Sequence, residues 1–507
     1  MLSPRLRSVL PWLLAVSVLV FGVTLRFVYF DNVHGQSDEA ITLGVVQHLR
    51  TTSDWDNNWI KADLSEDLRR NQYNFSTHLY ATYLFDQGVR LIPGLEGWRT
   101  RDSGFHVFRF FVALLGAAVV LLSFNLARRL LDFSTAVVAT LFVAVAPLLV
   151  QDAHYIRPEP LTTALTLGAI LLCVPTPRFS SWRVLGAGFL LGLLIACKVS
   201  LLILAWLPLV PLLGQPLPLG RRVALAAATF CVLALGFAVG APGAMLHPAA
   251  YLSGIRDLMT QYAGVHPPHS HIDGGWTGDM MLRYFGSTLG WTTFALFIFG
   301  LVRLAVLRRW VVLALAAVPV LLFGGYFATR SVFFERNLSH VLPLFLILAA
   351  WGLVELVRLA HHRSLRLAVP LAAVLLVAAL ARPASVTARL IGQEYSGQAN
   401  AAHDRIAQVA AEQHSDAAKW EELLLVDEPL RRLAAHFQDS SQPVLLRIAD
   451  YADEGTAANL ARLRREFVVE TIANHPGTFP ELPTCTLLTY HMSRVWFLRV
   501  TGPRPRS

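Results

Sequence analysis

Charge is scarce in this sequence: only 15% of its 507 residues are Asp, Glu, Lys or Arg, while 54% are hydrophobic. An ordinary soluble chain carries about 25% charge, so the shortage excludes a water-soluble enzyme and makes the bilayer the solvent. Cysteine is also scarce. Cys173, Cys197 and Cys231 lie inside apolar runs and only Cys485 lies in the tail, so neither a disulfide framework nor a zinc-ligand spacing can be assembled. The sequence further lacks a metalloprotease helix signature, a phosphate-cradling Gly-Lys-Ser/Thr loop, a nucleophile elbow and any solenoid-length repeat.

The charge that is present is unevenly placed. Residues 31–104 hold 7 Lys/Arg and 11 Asp/Glu, and residues 383–507 hold 13 and 15, which leaves 23 basic against 8 acidic residues in the apolar remainder. A pI near 9.6 would suit nucleic acid, but these basic residues sit in short clusters between apolar runs, as cytoplasmic loops do. The basic excess therefore speaks for the bilayer as partner and against nucleic acid.

A hydrocarbon core of about 30 Å needs roughly 20 helical residues. Ten apolar runs meet or approach that need: 8–30, 105–131, 135–150, 159–175, 184–214, 222–244, 284–302, 310–328, 338–357 and 367–381. The first follows Arg5 and Arg7 but has no small-residue cleavage site, and reads as an uncleaved anchor. The run 184–214 would be about 46 Å long as one helix, so it is expected to fold back near Lys198 and cross twice. Arg128/Arg129, Arg178/Arg183, Arg221/Arg222, Arg303/Arg308/Arg309 and Arg358/Arg363/Arg366 then all lie on the side of the N-terminus, as the positive-inside bias requires.

The expected fold class is therefore mainly α, a polytopic membrane protein of about eleven transmembrane helices. It divides into a membrane domain 1–382 and a small soluble α/β domain 383–507. Large outer loops occupy 31–104 and 245–283. In the first, 38–50 and 75–90 have helical spacing with aromatics on one side and suit helices lying on the bilayer. In the tail, strands are expected at 422–426, 443–448, 467–471 and 495–500, with helices near 400–415, 428–437 and 456–466.

Carboxylates at a membrane boundary are costly unless they face water, a partner or a substrate, which singles out a few clusters. Gln36-Ser37-Asp38-Glu39-Ala40 follows the first span; its plain reading is a helix cap. Gln151-Asp152-Ala153-His154-Tyr155-Ile156-Arg157-Pro158-Glu159-Pro160 puts four ionisable groups within eight residues between two spans. It reads as a site, or as a helix entry with Arg157 paired to Asp152 or Glu159. Lys198 at the fold-back and Arg336 beside Glu335 and His340 are cations suited to phosphate, or else a snorkelling lysine and a local ion pair. His266, His269, His271 and Asp273 gather in a Pro-rich loop, whose spacing matches no standard zinc pattern.

Together these residues resemble the membrane glycosyltransferases of the GT-C type, in the protein O-mannosyltransferase and aminoarabinose-transferase-like (family 39-like) branch. Asp38-Glu39 is similar to that family's Asp-Glu motif in the first outer loop. His154-Tyr155-Ile156-Arg157-Pro158-Glu159 resembles its second motif, with Glu159 where aspartate is usual and His154 where arginine is common. The glycine-spaced segment 188–198 ending in Lys198 resembles its lysine-ended run, and 336–343, Arg336-Asn337-Leu338-Ser339-His340-Val341-Leu342-Pro343, its arginine-to-proline entry to a late span. The likeness covers roughly 1–380.

What the resemblance implies is an inverting glycosyltransferase of a bacterial inner membrane, N-terminus cytoplasmic and tail domain extracytoplasmic. It would move a sugar from a polyprenyl-phosphate donor to a glycan, lipid or protein hydroxyl. Asp38 would be the catalytic base. Glu39, Asp152, His154 and Glu159 would orient donor or acceptor, and Lys198, Arg336 and Arg157 would offset the leaving phosphate. A divalent metal ion is compatible with the fold class, with His269 or His271 as ligand, though a lipid monophosphate donor does not require one. The rival expectation is a lipid or small-molecule transporter or flippase, which would place its charges at the bilayer midplane.

Overall fold

In a computed structural model the described residues are 4–32, 37–52, 55–58, 72–100, 105–264, 269–271, 276–423, 427–450, 454–475 and 494–505. They form two compact units: 1–260 with 288–326 and 336–387, and 261–287 with 327–335 and 388–507.

The first unit is helical. Among the described residues of both units, six helices are long and apolar enough to cross a bilayer: Val9–Phe27, Phe105–Leu130, Leu219–Gly240, Trp310–Ala328, Leu342–Arg363 and Leu365–Tyr395. A seventh forms if Thr277–Leu289 and Trp291–Val306, broken at Gly290 with φ +81°, make one span. Four shorter apolar helices, Phe133–Ala144, Glu159–Cys173, Ser181–Cys197 and Val199–Leu213, occupy the remaining runs. The run 184–214 breaks at Lys198, whose φ of −152° and ψ of 108° end one helix and start a 3-10 segment. The first outer loop contains helices Ser37–Thr52 and Ser76–Arg90 and the short helix Glu96–Thr100.

Glycine sets how closely these helices approach. A Cβ on Gly192 would lie 2.1 Å from the Leu233 carbonyl, and one on Gly236 would lie 2.3 Å from the Phe189 carbonyl. The backbones of Ser181–Cys197 and Leu219–Gly240 are therefore in contact, which only glycine permits. This seats the C-terminal end of Ser181–Cys197, where Lys198 emerges. A Cβ on Gly116 would lie 2.5 Å from Ala153 Cβ, so the same device lets the polar turn after Asp152 settle onto helix Phe105–Leu130.

Charges inside the first unit are matched by helix ends. The buried Arg26 guanidinium donates to the carbonyls of Val143 (2.8 Å) and Ala144 (2.5 Å), in the last turn of Phe133–Ala144, where a helix leaves acceptors without N–H partners of its own. At that helix's other end Asp132 accepts from Thr135 N–H at 2.9 Å and meets Arg358 Nη2 at 2.9 Å. Arg358 also holds Glu355 at 3.0 Å, and Glu355 takes Arg303 at 3.1 Å.

The second unit contains a four-stranded sheet, β1 (Ala418–Leu423), β2 (Val444–Asp450), β3 (Phe467–His475) and β4 (Arg494–Pro503). Their order is β1-β2-β4-β3, with β1 parallel to β2 and the other pairs antiparallel. Helices Asp427–Asp439 and Glu454–Glu466 bury Leu430, Leu433, Leu460 and Leu463 against Leu446, Ile448, Leu498 and Val500, the alternate residues of one sheet face. Strands and helices overlap the tail segments expected from periodicity. The composition break at Arg382-Pro383, by contrast, falls inside the continuous helix Leu365–Arg389, since a membrane helix tolerates an internal proline when neighbours satisfy the freed backbone group.

Candidate functional site

The polar turn between Pro147–Asp152 and Glu159–Cys173 is buried throughout, and the first outer helix is tied to it. Glu39, fully buried, accepts from Arg109 Nε (3.1 Å) and Nη2 (2.9 Å) and from the Ile156 backbone N–H (2.9 Å). Its three charge-assisted bonds join helix Ser37–Thr52, helix Phe105–Leu130 and the turn, so this carboxylate is a fixed strut. Asp38 precedes it at the start of the helix; its side chain lies outside the described residues. At the other end of the outer pair, Arg50 Nε holds buried Asp86 at 2.9 Å.

Within the turn, the His154 ring lies between Val150 O (2.7 Å) and Val28 O (2.9 Å). Burial lowers its pKa to about 4 against the pull of those carbonyls, so near pH 7 the ring is neutral and donates to one of them. His154 thus lies between the stretch that leads into the turn and the segment after the first span. Asp152 is buried, and its charge acts on both Arg26 and Lys198.

Glu159 opens its helix behind Pro158, where a carboxylate also suits the positive end of the helix dipole. Its Oε1 lies 3.6 Å from Lys198 Nζ, while its Oε2 has no hydrogen-bond partner among the described residues. Lys198 Nζ donates to Asn337 Oδ1 at 2.6 Å, and the charge of Arg336, the neighbouring residue, bears on Lys198 too. Lys198, Glu159, Asn337, Arg336 and Asp152 are therefore drawn into one neighbourhood from three separate stretches of sequence. Two cations, Lys198 and Arg336, thus stand beside two carboxylates, Glu159 and Asp152, and ammonium and guanidinium are the side chains that grip a phosphate.

Two residues near the site escape sequence reasoning. Arg109 lies inside an apolar run, and an ionisable residue in a span is the signal that marks it. His78, on helix Ser76–Arg90, is fully buried with neither ring nitrogen hydrogen-bonded among the described residues; burial lowers it to about 3. Its neighbour Thr77 donates to Leu193 O at 2.7 Å, so this helix start abuts the segment leading to Lys198.

The metal candidates fall in the second unit. His271 Nε2 contacts Asp279 Oδ1 at 2.9 Å, Asp279 also holds Arg283 at 2.6 Å, and the buried His269 ring packs on Phe334 with centroids 4.5 Å apart. His266 and Asp273 lie outside the described residues. Among the described residues no three His, Cys, Asp or Glu side chains converge as metal ligands.

Residues 100–245 match the family described as dolichyl-phosphate-mannose-protein mannosyltransferase. The archaeal oligosaccharyltransferase AglB from Archaeoglobus fulgidus, solved with an inhibitory peptide and a dolichol-phosphate, superposes with a TM-score of 0.55 at 14% identity over 77% of this chain. ArnT from Cupriavidus metallidurans, bound to undecaprenyl phosphate, superposes with a TM-score of 0.52 at 14% identity, covering 97% of this chain and 99% of its own. The chain has the membrane fold of these two solved structures. It spans only 56% of the archaeal enzyme's length, but the full length of apo ArnT, with a TM-score of 0.51 at 15% identity. No curated protein sequence matches the chain. The matched stretch 100–245 contains Arg109, the polar turn, Glu159 and Lys198.

Proposed function

We propose that this GT-C chain is an inverting glycosyltransferase that moves a sugar from a polyprenyl-phosphate donor to an acceptor hydroxyl on the extracytoplasmic side of a bacterial inner membrane. The observation that carries the reading is Lys198, 3.6 Å from Glu159 and 2.6 Å from Asn337 with Arg336 alongside, at the end of a glycine-packed apolar helix. An apolar carrier tail would lie among the spans while its phosphate meets a lysine point charge and an arginine fork. Eleven crossings, the seven long spans plus four shorter apolar helices, keep the basic loops on one side and this neighbourhood on the other.

Asp38 is assigned as base: it deprotonates the acceptor hydroxyl, the oxygen attacks the anomeric carbon from the back, and the carrier phosphate leaves toward Lys198 and Arg336. The displacement inverts that carbon. Asp152, Glu159 and the neutral His154 shape the pocket for sugar and acceptor, and the Glu39–Arg109 pair holds the Asp38 helix in register. The domain 383–507 is assigned to the same outer side.

The experiment is comparative analysis of envelope glycans and glycolipids from cells carrying wild type, a deletion, or Asp38→Asn. The reading predicts one missing sugar in the deletion, still missing with Asp38→Asn although the variant accumulates normally. Unchanged glycans in the deletion would refute the function, and full activity of Asp38→Asn would refute the assignment of the base.

A further inference from the structure

Arg157 is 1% exposed, and its Nε, Nη1 and Nη2 have no hydrogen-bond partner among the described residues. Its sole described companion is the Tyr155 ring, 5.2 Å from the guanidinium carbon. A cation over a tyrosine face gains too little to offset five buried donors without acceptors. None of the site's carboxylates bonds it. Glu39 is held by Arg109 and Ile156 N–H, Glu159 faces Lys198, and Asp152 acts on Arg26 and Lys198. Arg157 is also not among the charges that bear on Lys198, which are Glu159, Arg336, Cys197 and Asp152.

Resting on the reading of Lys198 and Arg336 as the grip on the carrier phosphate, we propose that Arg157 forms a second oxyanion subsite in the buried turn, taking a carboxylate or phosphate carried by the sugar or the acceptor. A planar guanidinium lying on an aromatic face presents its edge as a fork, which suits the two oxygens of such a group. The turn is held in shape by Pro158, by Glu39 on Ile156 N–H and by His154 between two carbonyls, so the subsite is formed before its ligand arrives. The substrate class that follows is an acidic one: a sugar or acceptor bearing a carboxylate, as in a uronic acid, or a phosphate ester.

The test uses the full-length protein in nanodiscs and follows thermal unfolding. Undecaprenyl phosphate is added to saturation, then glucuronate as the carboxylate probe or methyl phosphate as the phosphate probe, with chloride at matched ionic strength as control. Expected is a second rise in Tm with one or both probes in wild type, and the probe that acts names the group. Arg157→Gln should weaken that second response by about tenfold or more, the loss of charged hydrogen bonds, while keeping the carrier response; Lys198→Met should do the reverse. Ligand-free Arg157→Gln should melt no lower than wild type, because it removes a buried charge without a partner. A second response that is absent from wild type or equal in Arg157→Gln would overturn the subsite. A Tm several degrees lower in the ligand-free variant would do so too, by showing that the guanidinium has a structural partner. Failure of undecaprenyl phosphate to raise Tm at all would instead defeat the carrier reading.

Discussion

Glu39 and Arg109 meet through two parallel bonds, 3.1 and 2.9 Å long, with both side chains buried. The pair joins residues 70 positions apart and carries the Ile156 N–H as a third arm. An ion pair of this kind contributes little over an apolar pair of equal shape, but removing one partner strands the other. Arg109→Met is therefore expected to destabilise the first unit by about 3–5 kcal/mol. The double substitution Arg109→Met with Glu39→Gln should recover part of that loss. Thermal unfolding of Arg109→Met, Glu39→Gln and the double variant in one detergent checks it; an additive double variant would show that the two side chains act independently.

Helix contact through glycine gives a second expectation. Gly192→Ala places a methyl 2.1 Å from the Leu233 carbonyl, which the two backbones relieve only by separating, at a cost of about 1–3 kcal/mol. The glycine spacing before Lys198 thus serves packing, and loosening it should also displace Lys198. Gly220, in the partner helix, has open space around its Cα, so Gly220→Ala should be neutral or stabilising by up to about 1 kcal/mol. Equal Tm values for the two variants would contradict this account of the interface.

In the second unit His403 Nε2 contacts His475 Nδ1 at 3.1 Å. Burial, then the nearby His475 and Arg447, lower the His403 pKa from 6.5 to about 4. The unfolded chain therefore binds the proton first as pH falls. Stability from this group is complete above pH 6.5 and is lost as pH drops toward about 4. Hydrogen exchange in β3 and helix Gln398–Gln413 of the full chain should quicken across that window, and His403→Gln should flatten the change. A pH profile identical to wild type would show that His403 is not the titrating group.

What could be read from the sequence is what depends on local pattern. Hydropathy marks the apolar helices, the break at Lys198 follows from the excess length of 184–214, and alternation marks the tail strands. The polar turn at Asp152–His154–Arg157–Glu159 stands out because charge is rare around it. Pairings made only in three dimensions stay hidden: Arg109 looks like one polar residue in an apolar run, and nothing local joins it to Glu39. Asn337 passes as a neighbour of Arg336 until Lys198 is brought to it. His78 lies on an outer helix whose period predicts its existence but not which side chain is buried without a ring partner.

The central claim is that Lys198 and Arg336 hold a polyprenyl phosphate. The most direct measurement is native mass spectrometry of the purified protein titrated with undecaprenyl phosphate, comparing wild type with Lys198→Met and Arg336→Met. The account predicts a one-to-one complex for wild type and a loss of roughly 10–100-fold in affinity for each variant, the size of one charged hydrogen-bonding partner. Carrier binding that is equal in all three proteins would contradict it.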